Sequence, residues 1–424
     1  MNKKIQQWIY YDKFSEFKFA GNHSFAIVFL RVLDGVHANQ IGHSLMDLWH
    51  VYELLKKGKV SDLGDSVVPG GELSILIGYG PEIFKIRGVK KRIPRDFEGS
   101  QFLPAKSKRP ILDGSEIKYV NGRCLNLGIS EHIVVQFISK SQLASNRAIV
   151  ETSKYISNQK SSKGCLELTK FYTGFQRDDG RSWLGFHDEL SNLRDTLERK
   201  DVISINKQYN QLVPDDFWTV CGTYMSFLRT EIDLRIWRKL GRKNQELIVG
   251  REKLTGRPIL GIDKGGNPLF GKQIRKTCSF DKYEIQYHDH PNYFKEPEVS
   301  YGERNLIDAV ASLDILSQSH IGRTRHIGQT RSKDPSSRRI YRQGFEFIEP
   351  CAKQRGSVKV GLNFVSFQND PNRLLFILRD PRWLGKSNFG GTYNLSKDFL
   401  SVQASGMFFV PPVERRFPGY SMFQ

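Results

Sequence analysis

The chain has 424 residues, of which 39% are hydrophobic, 26% charged and 12% aromatic; this excludes a disordered chain and exceeds what one hydrophobic core usually fills, so two domains are expected. Lysine and arginine number 64 against 45 acidic residues, a net charge of +19, which attracts anions without naming them. The basic residues run from Lys3 to Arg416 with short clusters such as Lys90, Lys91 and Arg92, so no tract reads as a nucleic-acid arm.

Apolar runs such as Phe25 to Leu30 have the length of buried strands and are too short to span a bilayer. Tyr10, Tyr11, Asp12 and Lys13 interrupt the N-terminal stretch where a signal peptide needs a continuous apolar segment. Five cysteines, Cys124, Cys165, Cys221, Cys278 and Cys351, are odd in number, widely spaced and without a Cys-x-x-Cys pair, which argues against a zinc ribbon or a disulfide scaffold. Reduced thiols in a cytoplasmic protein are the expectation.

In chain order, a strand is predicted from His23 to Val32, then a helix with Ile41, Leu45, Leu48, Tyr52 and Leu55 on one face. Strands follow over Gly71 to Gly80 and from about His132 to Ile138, then a helix from Gln142 to about Ile156 and a strand from Cys165 to Gly174. That β-α-β-β-α-β order is the ferredoxin-like unit, an antiparallel sheet with helices on one face.

A charged, initially helical connector is expected over residues 191–214. Beyond it the theme returns: a strand from Gly222 to Arg229, a helix carrying Ile232, Leu234, Ile236, Trp237 and Leu240, and strands over Val358 to Phe367 and Gly406 to Val410. The expected architecture is therefore α+β, with ferredoxin-like domains at residues 1–190 and 215–424 joined by that connector. Two local patterns carry less: His288 and His290 lack an evident third metal ligand, and Gly265-Gly-Asn-Pro268 is a turn without the remainder of a phosphate loop.

Seven segments then agree in order with one family. Trp183-Leu-Gly185-Phe186-His-Asp188-Glu189 resembles the Gly-x-x-Asp-Gly signature of the dye-decolorising haem peroxidases, and Gly222 to Leu240 resembles their strand and helix after the connector. Thr255-Gly-Arg-Pro-Ile-Leu260 is similar to the family's Thr-Gly-x-Pro-Leu turn. Ser319-His320-Ile-Gly-Arg323 resembles the block whose histidine binds iron, and Arg339-Ile-Tyr-Arg342 the block with the distal arginine. Gly361 to Gln368 and Gly406 to Pro412 are similar to the distal-wall strand and the last strand, so the resemblance runs from about residue 23 to 412.

The resemblance implies one haem b per chain, ligated axially by His320 and contacted by Gly185, Phe186, Arg323, Leu362 and Phe364. It implies Asp188 and Arg342 on the opposite haem face, and oxidation of bulky aromatic donors such as anionic dyes and phenols by hydrogen peroxide through an iron-oxo intermediate. The chain departs from the pattern at Glu189, where the family has glycine, and at Gly322, where it has arginine. These departures motivate an alternative, a haem transfer, storage or sensing protein with weak peroxidase activity. The implied partners are peroxide and reductant, with no membrane or nucleic acid and with room for a homo-oligomer.

The residue types suit that chemistry. Splitting peroxide needs a base to take a proton from one oxygen and an acid to return it to the other, and one carboxylate, Asp188, serves both steps. Arg342, a permanent cation with directional donors, would stabilise the charge that develops as the O–O bond breaks and would favour the ionised carboxylate. Imidazole from His320 suits iron. Leu362 and Phe364, alternating about Asn363, would form a dry wall.

Overall fold

The computed structural model describes residues 6, 23–64, 67–98, 131–159, 164–177, 179–186, 192–193, 196–206, 214–242, 245, 249, 253, 260–262, 268–270, 339–351, 357–374 and 399–424. Their first half comprises β1 (Ser24–Val32), α1 (Ala38–Lys56), β2 (Ser74–Tyr79), α2 (Arg95–Glu98), β3 (Ile133–Ser139), α3 (Gln142–Gln159) and β4 (Leu166–Phe175). The second comprises α4 (Thr196–Ile203), β5 (Thr223–Ile232), α5 (Leu234–Lys239), β6 (Leu260–Ile262), β7 (Pro268–Phe270), β8 (Tyr341–Pro350), β9 (Val358–Gln368) and β10 (Leu400–Val410). Strands β6 and β7 form a separate two-stranded sheet.

The other eight strands close into one barrel in the order β4-β1-β3-β2-β10-β5-β9-β8. The first four and the last four each repeat the ferredoxin-like order, with the first strand of each half between its last and its third. Every pairing is antiparallel. The α+β architecture of two ferredoxin-like sheets is thus present, and the sheets share edges.

Alternation along the strands explains why both faces of β1 are apolar. Ala26, Val28, Leu30 and Val32 belong to the cluster that also holds Ile41, Leu45, Leu48 and Tyr52 of α1 and Ala148, Ile149 and Ile156 of α3. Phe25, Ile27 and Phe29 face the barrel interior with Met225, Phe227, Phe345, Val365, Phe367 and Phe408. There Phe25 stacks on Phe345 with ring centroids 4.3 Å apart, and Phe29 lies 5.5 Å from Phe227, so aromatic contacts join the halves across the interior.

At the seams the backbone pairing is thin. β10 meets β2 at Phe409 and Tyr79, and β4 meets β8 at Phe175 and Glu346. At the first seam Gln6 Nε2 donates to the carbonyls of Ile77 (3.0 Å) and Pro411 (2.9 Å), while Ile77 N donates to Gln6 Oε1 (3.0 Å). Near the second, Arg229 of β5 is 1% exposed and donates to Asn363 Oδ1 at 2.7 Å and to Glu349 Oε1 at 2.5 Å. Its guanidinium lies 4.5 Å from the ring centre of Tyr172 and 3.5 Å from that of Phe347, and Asn363 Nδ2 donates to Thr173 O at 2.9 Å.

Replacing Arg229 with methionine keeps an unbranched chain there but leaves the fully buried Asn363 Oδ1 without this donor. An orphaned buried acceptor costs about 1–3 kcal/mol, and a desolvated cation–π contact is worth about 2 kcal/mol. A loss near 3 kcal/mol in chemical denaturation is therefore expected. A change under about 0.5 kcal/mol, the usual range for an unconstrained surface site, would remove Arg229 from the seam.

Two expectations need correction. Ile232 ends β5, and the helix after it spans only Leu234–Lys239. The strand runs on because Thr223 to Ile232 is paired with β9 and β10 along its length, and the helix begins where Asp233 Oδ1 accepts from Arg235 N and Ile236 N. The last strand starts at Leu400, six residues before Gly406, because its early part pairs with the far end of β5. Among the described cysteines, Cys165 is buried and Cys221 and Cys351 are half-buried, and no disulfide joins any two of them. No helix among the described residues is long and apolar enough to cross a membrane.

Candidate active site

The second-half sheet turns one face into the barrel and the other outward. On β9, Asn363, Val365 and Phe367 are fully buried, whereas the intervening Leu362 and Phe364 are half-exposed. The register sets Arg342 opposite Ser366, Gly344 opposite Phe364, and Glu346 opposite Leu362. On the other side Phe364 stands opposite Leu228 and Ser366 opposite Ser226. Arg342, Leu362 and Phe364 therefore share the outward face, because alternate residues of a strand share a side and paired residues do too.

On this face Leu362 and Phe364 form an apolar patch beside half-buried Arg342 and the buried polar residues Ser366 and Glu346, with no side chain at Gly344 beside Phe364. Ser366 Oγ is buried in it and meets no hydrogen-bond partner among the described residues. Such a surface accepts a flat, largely apolar group with polar substituents, so the residues present fit a haem-like macrocycle.

The segment leading toward Asp188 is held against β8. Ser182 N donates to Phe186 O at 2.9 Å and Gly185 N to Ser182 O at 2.8 Å, closing a tight turn. Gly185 has φ +87, the left-handed region that favours glycine, while a Cβ there would meet only the flexible end of Lys253, which can move aside. Arg181 Nη1 donates to the carbonyls of Gly185 (2.7 Å) and Lys253 (2.6 Å). Trp183 N donates to Glu346 Oε1 (3.3 Å), Trp183 Nε1 to Phe347 O (3.1 Å), and Trp237 Nε1 to Leu184 O (3.1 Å). Phe186 is buried with Trp237 and Phe399. Upstream, burial pushes the Asp179 carboxyl up, but hydrogen bonds from Arg177 and Arg181 N outweigh it and hold it below the usual range.

Beyond Asp188 the chain is tied to β8 again. Asn192 Nδ2 donates to Arg342 O at 2.6 Å, and Arg342 N donates to Asn192 Oδ1 at 3.1 Å. The structure thus brings Arg342, Leu362 and Phe364 onto one face and places Gly185 and Phe186 in a turn pinned to the same sheet. Asp188, Glu189, His320, Gly322 and Arg323 lie outside the described residues, as do the pair His288 and His290 and the turn at Gly265. Sequence reasoning missed Asn192, Trp183 and Arg181; their bonds to distant backbone leave no periodic signal.

Two ferredoxin-like sheets closed edge to edge into one barrel define the class as α+β. Residues 179–415, more than half of the chain, match the family described as Dyp-type peroxidase, C-terminal. The chain belongs to the Dyp-type peroxidase family. It is 26% identical over 191 residues to the deferrochelatases of Escherichia coli K12 and Shigella flexneri, a match that covers 44% of this chain and 34% of theirs, about a third of the length of those relatives. Its fold is similar to that of a DyP-type peroxidase from Cellulomonas bogoriensis (TM-score 0.62, 17% identity, 96% of this chain and 94% of the other). It is also similar to ferric DtpA from Streptomyces lividans (TM-score 0.61, 19% identity, with the same two shares of 96% and 94%).

Proposed function

We propose that the protein is a haem-dependent peroxidase that uses hydrogen peroxide to oxidise aromatic, chiefly anionic, donors by single electrons. The observation that carries this reading is the shared face of Arg342, Leu362 and Phe364, an apolar patch beside a permanent cation, within a chain of this family.

One haem b per chain would be held by Leu362 and Phe364, with His320 binding its iron and Gly185, Phe186 and Arg323 as further contacts. Bound haem supplies a redox-active iron at which the O–O bond of peroxide is cleaved. Asp188 takes a proton from one peroxide oxygen and returns it to the other, which leaves as water. Arg342 stabilises the negative charge that grows on the departing oxygen, and the apolar patch excludes bulk water from the face it covers. The net charge of +19 concentrates anionic donors at the surface, and the cysteine usage suits the cytoplasm.

A second reading, haem transfer or storage with weak peroxidase activity, draws on Glu189 and Gly322 and on the name deferrochelatase borne by the matched relatives. Glu189 adds a carboxylate beside Asp188 that would compete for Arg342, and Gly322 withholds a cation from haem carboxylates.

The deciding experiment supplies haem, records the Soret band, adds peroxide and then offers an anionic dye or a neutral phenol. A peroxidase gives a spectral change with peroxide that either donor reverses over many turnovers, and kcat/KM for the dye falls with ionic strength while that for the phenol holds. Haem uptake with only a slow response to peroxide and few turnovers selects the second reading. Failure to take up haem rejects both.

A further inference from the structure

The barrel leaves β8 with an incomplete edge at the residue that the proposed chemistry needs most. On one side Arg342 is opposite Ser366 of β9; on the other, β4 pairs with β8 only at Phe175 and Glu346. The N–H and C=O of a strand residue point to the same side, and that side alternates along the strand. Arg342, four positions before Glu346, therefore turns its backbone groups toward the β4 side at a point where no β4 residue is paired with it.

Asn192 fills that place. Its carboxamide donates from Nδ2 to Arg342 O (2.6 Å) and accepts at Oδ1 from Arg342 N (3.1 Å), so one side chain offers the donor and acceptor that a neighbouring strand residue would offer. Oδ1 also accepts from Leu193 N at 3.1 Å, which fixes the carboxamide to its own backbone. The next residue is tied as well: Arg199 of α4 donates from Nε to Leu193 O at 3.0 Å and lays its guanidinium 4.6 Å from the ring centre of Tyr341. Two consecutive connector residues are thus secured to the first two residues of β8.

We propose that Asn192 is a positioning residue for the peroxide reaction: its carboxamide sets where Arg342 stands relative to the chain segment that carries Asp188. Asp188 precedes Asn192 by four residues, and Trp183, bonded to Glu346 and Phe347, anchors the same segment to β8 on its other side. Nine positions separate Trp183 from Asn192, while Phe347 and Arg342 are five apart on an extended strand. The segment has more chain than the span requires; among the described residues Trp183 and Asn192 tie it to β8 on either side of Asp188, and removing the Asn192 tie is expected to let the pair drift. Displacement of about 1 Å in a reacting constellation can cost on the order of 100-fold in rate. The inference rests on the reading of Arg342 and Asp188 as the peroxide-handling pair.

The test compares Asn192→Ala, Asn192→Asp, Arg342→Leu and the Asn192→Ala/Arg342→Leu double variant, each purified with haem. Stopped-flow mixing with peroxide reads the rate of the Soret change, and hydrogen exchange of the haem-free proteins reads the backbone amide of Arg342. Asn192→Ala is expected to slow the peroxide reaction roughly 10- to 100-fold with haem uptake retained, and to speed exchange of the Arg342 amide. Asn192→Asp, which keeps the acceptor for that amide and loses the donor, should protect it while still slowing the reaction, and it serves if the alanine variant does not fold. The double variant should react no more slowly than Arg342→Leu alone. If Arg342→Leu is slow but Asn192→Ala keeps the wild-type rate, if the two losses multiply, or if the Arg342 amide exchanges unchanged in Asn192→Ala, the positioning role is overturned. If Arg342→Leu itself reacts at the wild-type rate, the underlying reading fails instead.

Discussion

Arg342→Leu and Asp188→Asn are each expected to slow the reaction of the haem-loaded protein with peroxide by about 10²–10³-fold, the range seen when one preorganised charge-stabilising donor is removed from an active site or a general acid–base group is lost. Leucine keeps much of the bulk of Arg342 but removes the cation proposed to stabilise the departing oxygen. Asparagine keeps the shape of Asp188 but cannot accept and return the proton. Because both groups act on one event, the double variant should be little slower than the slower single one. Each loss should appear in the second-order rate with peroxide and leave the affinity for haem near that of wild type. Rapid mixing over a series of peroxide concentrations measures this directly; wild-type rates in both single variants would dissolve the pair.

His320→Ala is expected to abolish stable haem binding while the protein remains folded. Every strand of the closed barrel lies outside residues 301–338, so the substitution alters no strand residue of the barrel. Loss of an axial ligand should weaken haem binding by more than the roughly 10- to 100-fold that follows loss of an outer-shell partner. Titration of the variant with haem should give no wild-type Soret band, and the far-ultraviolet circular dichroism should match that of wild type. Added imidazole should restore part of the spectrum by filling the vacated axial position. A variant that binds haem with an unchanged spectrum and iron content would require another ligand and with it a different seating of the group on Leu362 and Phe364.

Local periodicity carried the first half of the fold. The run Phe25 to Leu30 announces a strand buried on both faces, and Ile41, Leu45, Leu48, Tyr52 and Leu55 recur at helical spacing, as the clusters on either side of β1 bear out. In the second half the same logic found β5 and β9 but passed over β8. Tyr341 to Pro350 carries Gln343 on its inner face and Arg342, Gly344 and Glu346 on its outer one, a polar pattern suited to a site and not to a wall, so hydrophobic alternation could not reveal it. The helix expected to include Ile232 failed for a related reason: apolar spacing near a strand end cannot tell which residue is still paired.

The sequence by itself determined the ferredoxin-like order of the first half, most of the second-half elements and, through ordered blocks of residues, the family. Tertiary structure alone decided that the two sheets close on each other, because a strand's sequence records how much of each face is buried and not which surface buries it. It also decided that Arg229 joins four strands at a seam and that Asn192 completes the edge of β8. These are hydrogen bonds between positions more than 100 residues apart, and they exist only where two strand edges fail to pair fully and leave backbone or buried polar groups for a side chain to satisfy.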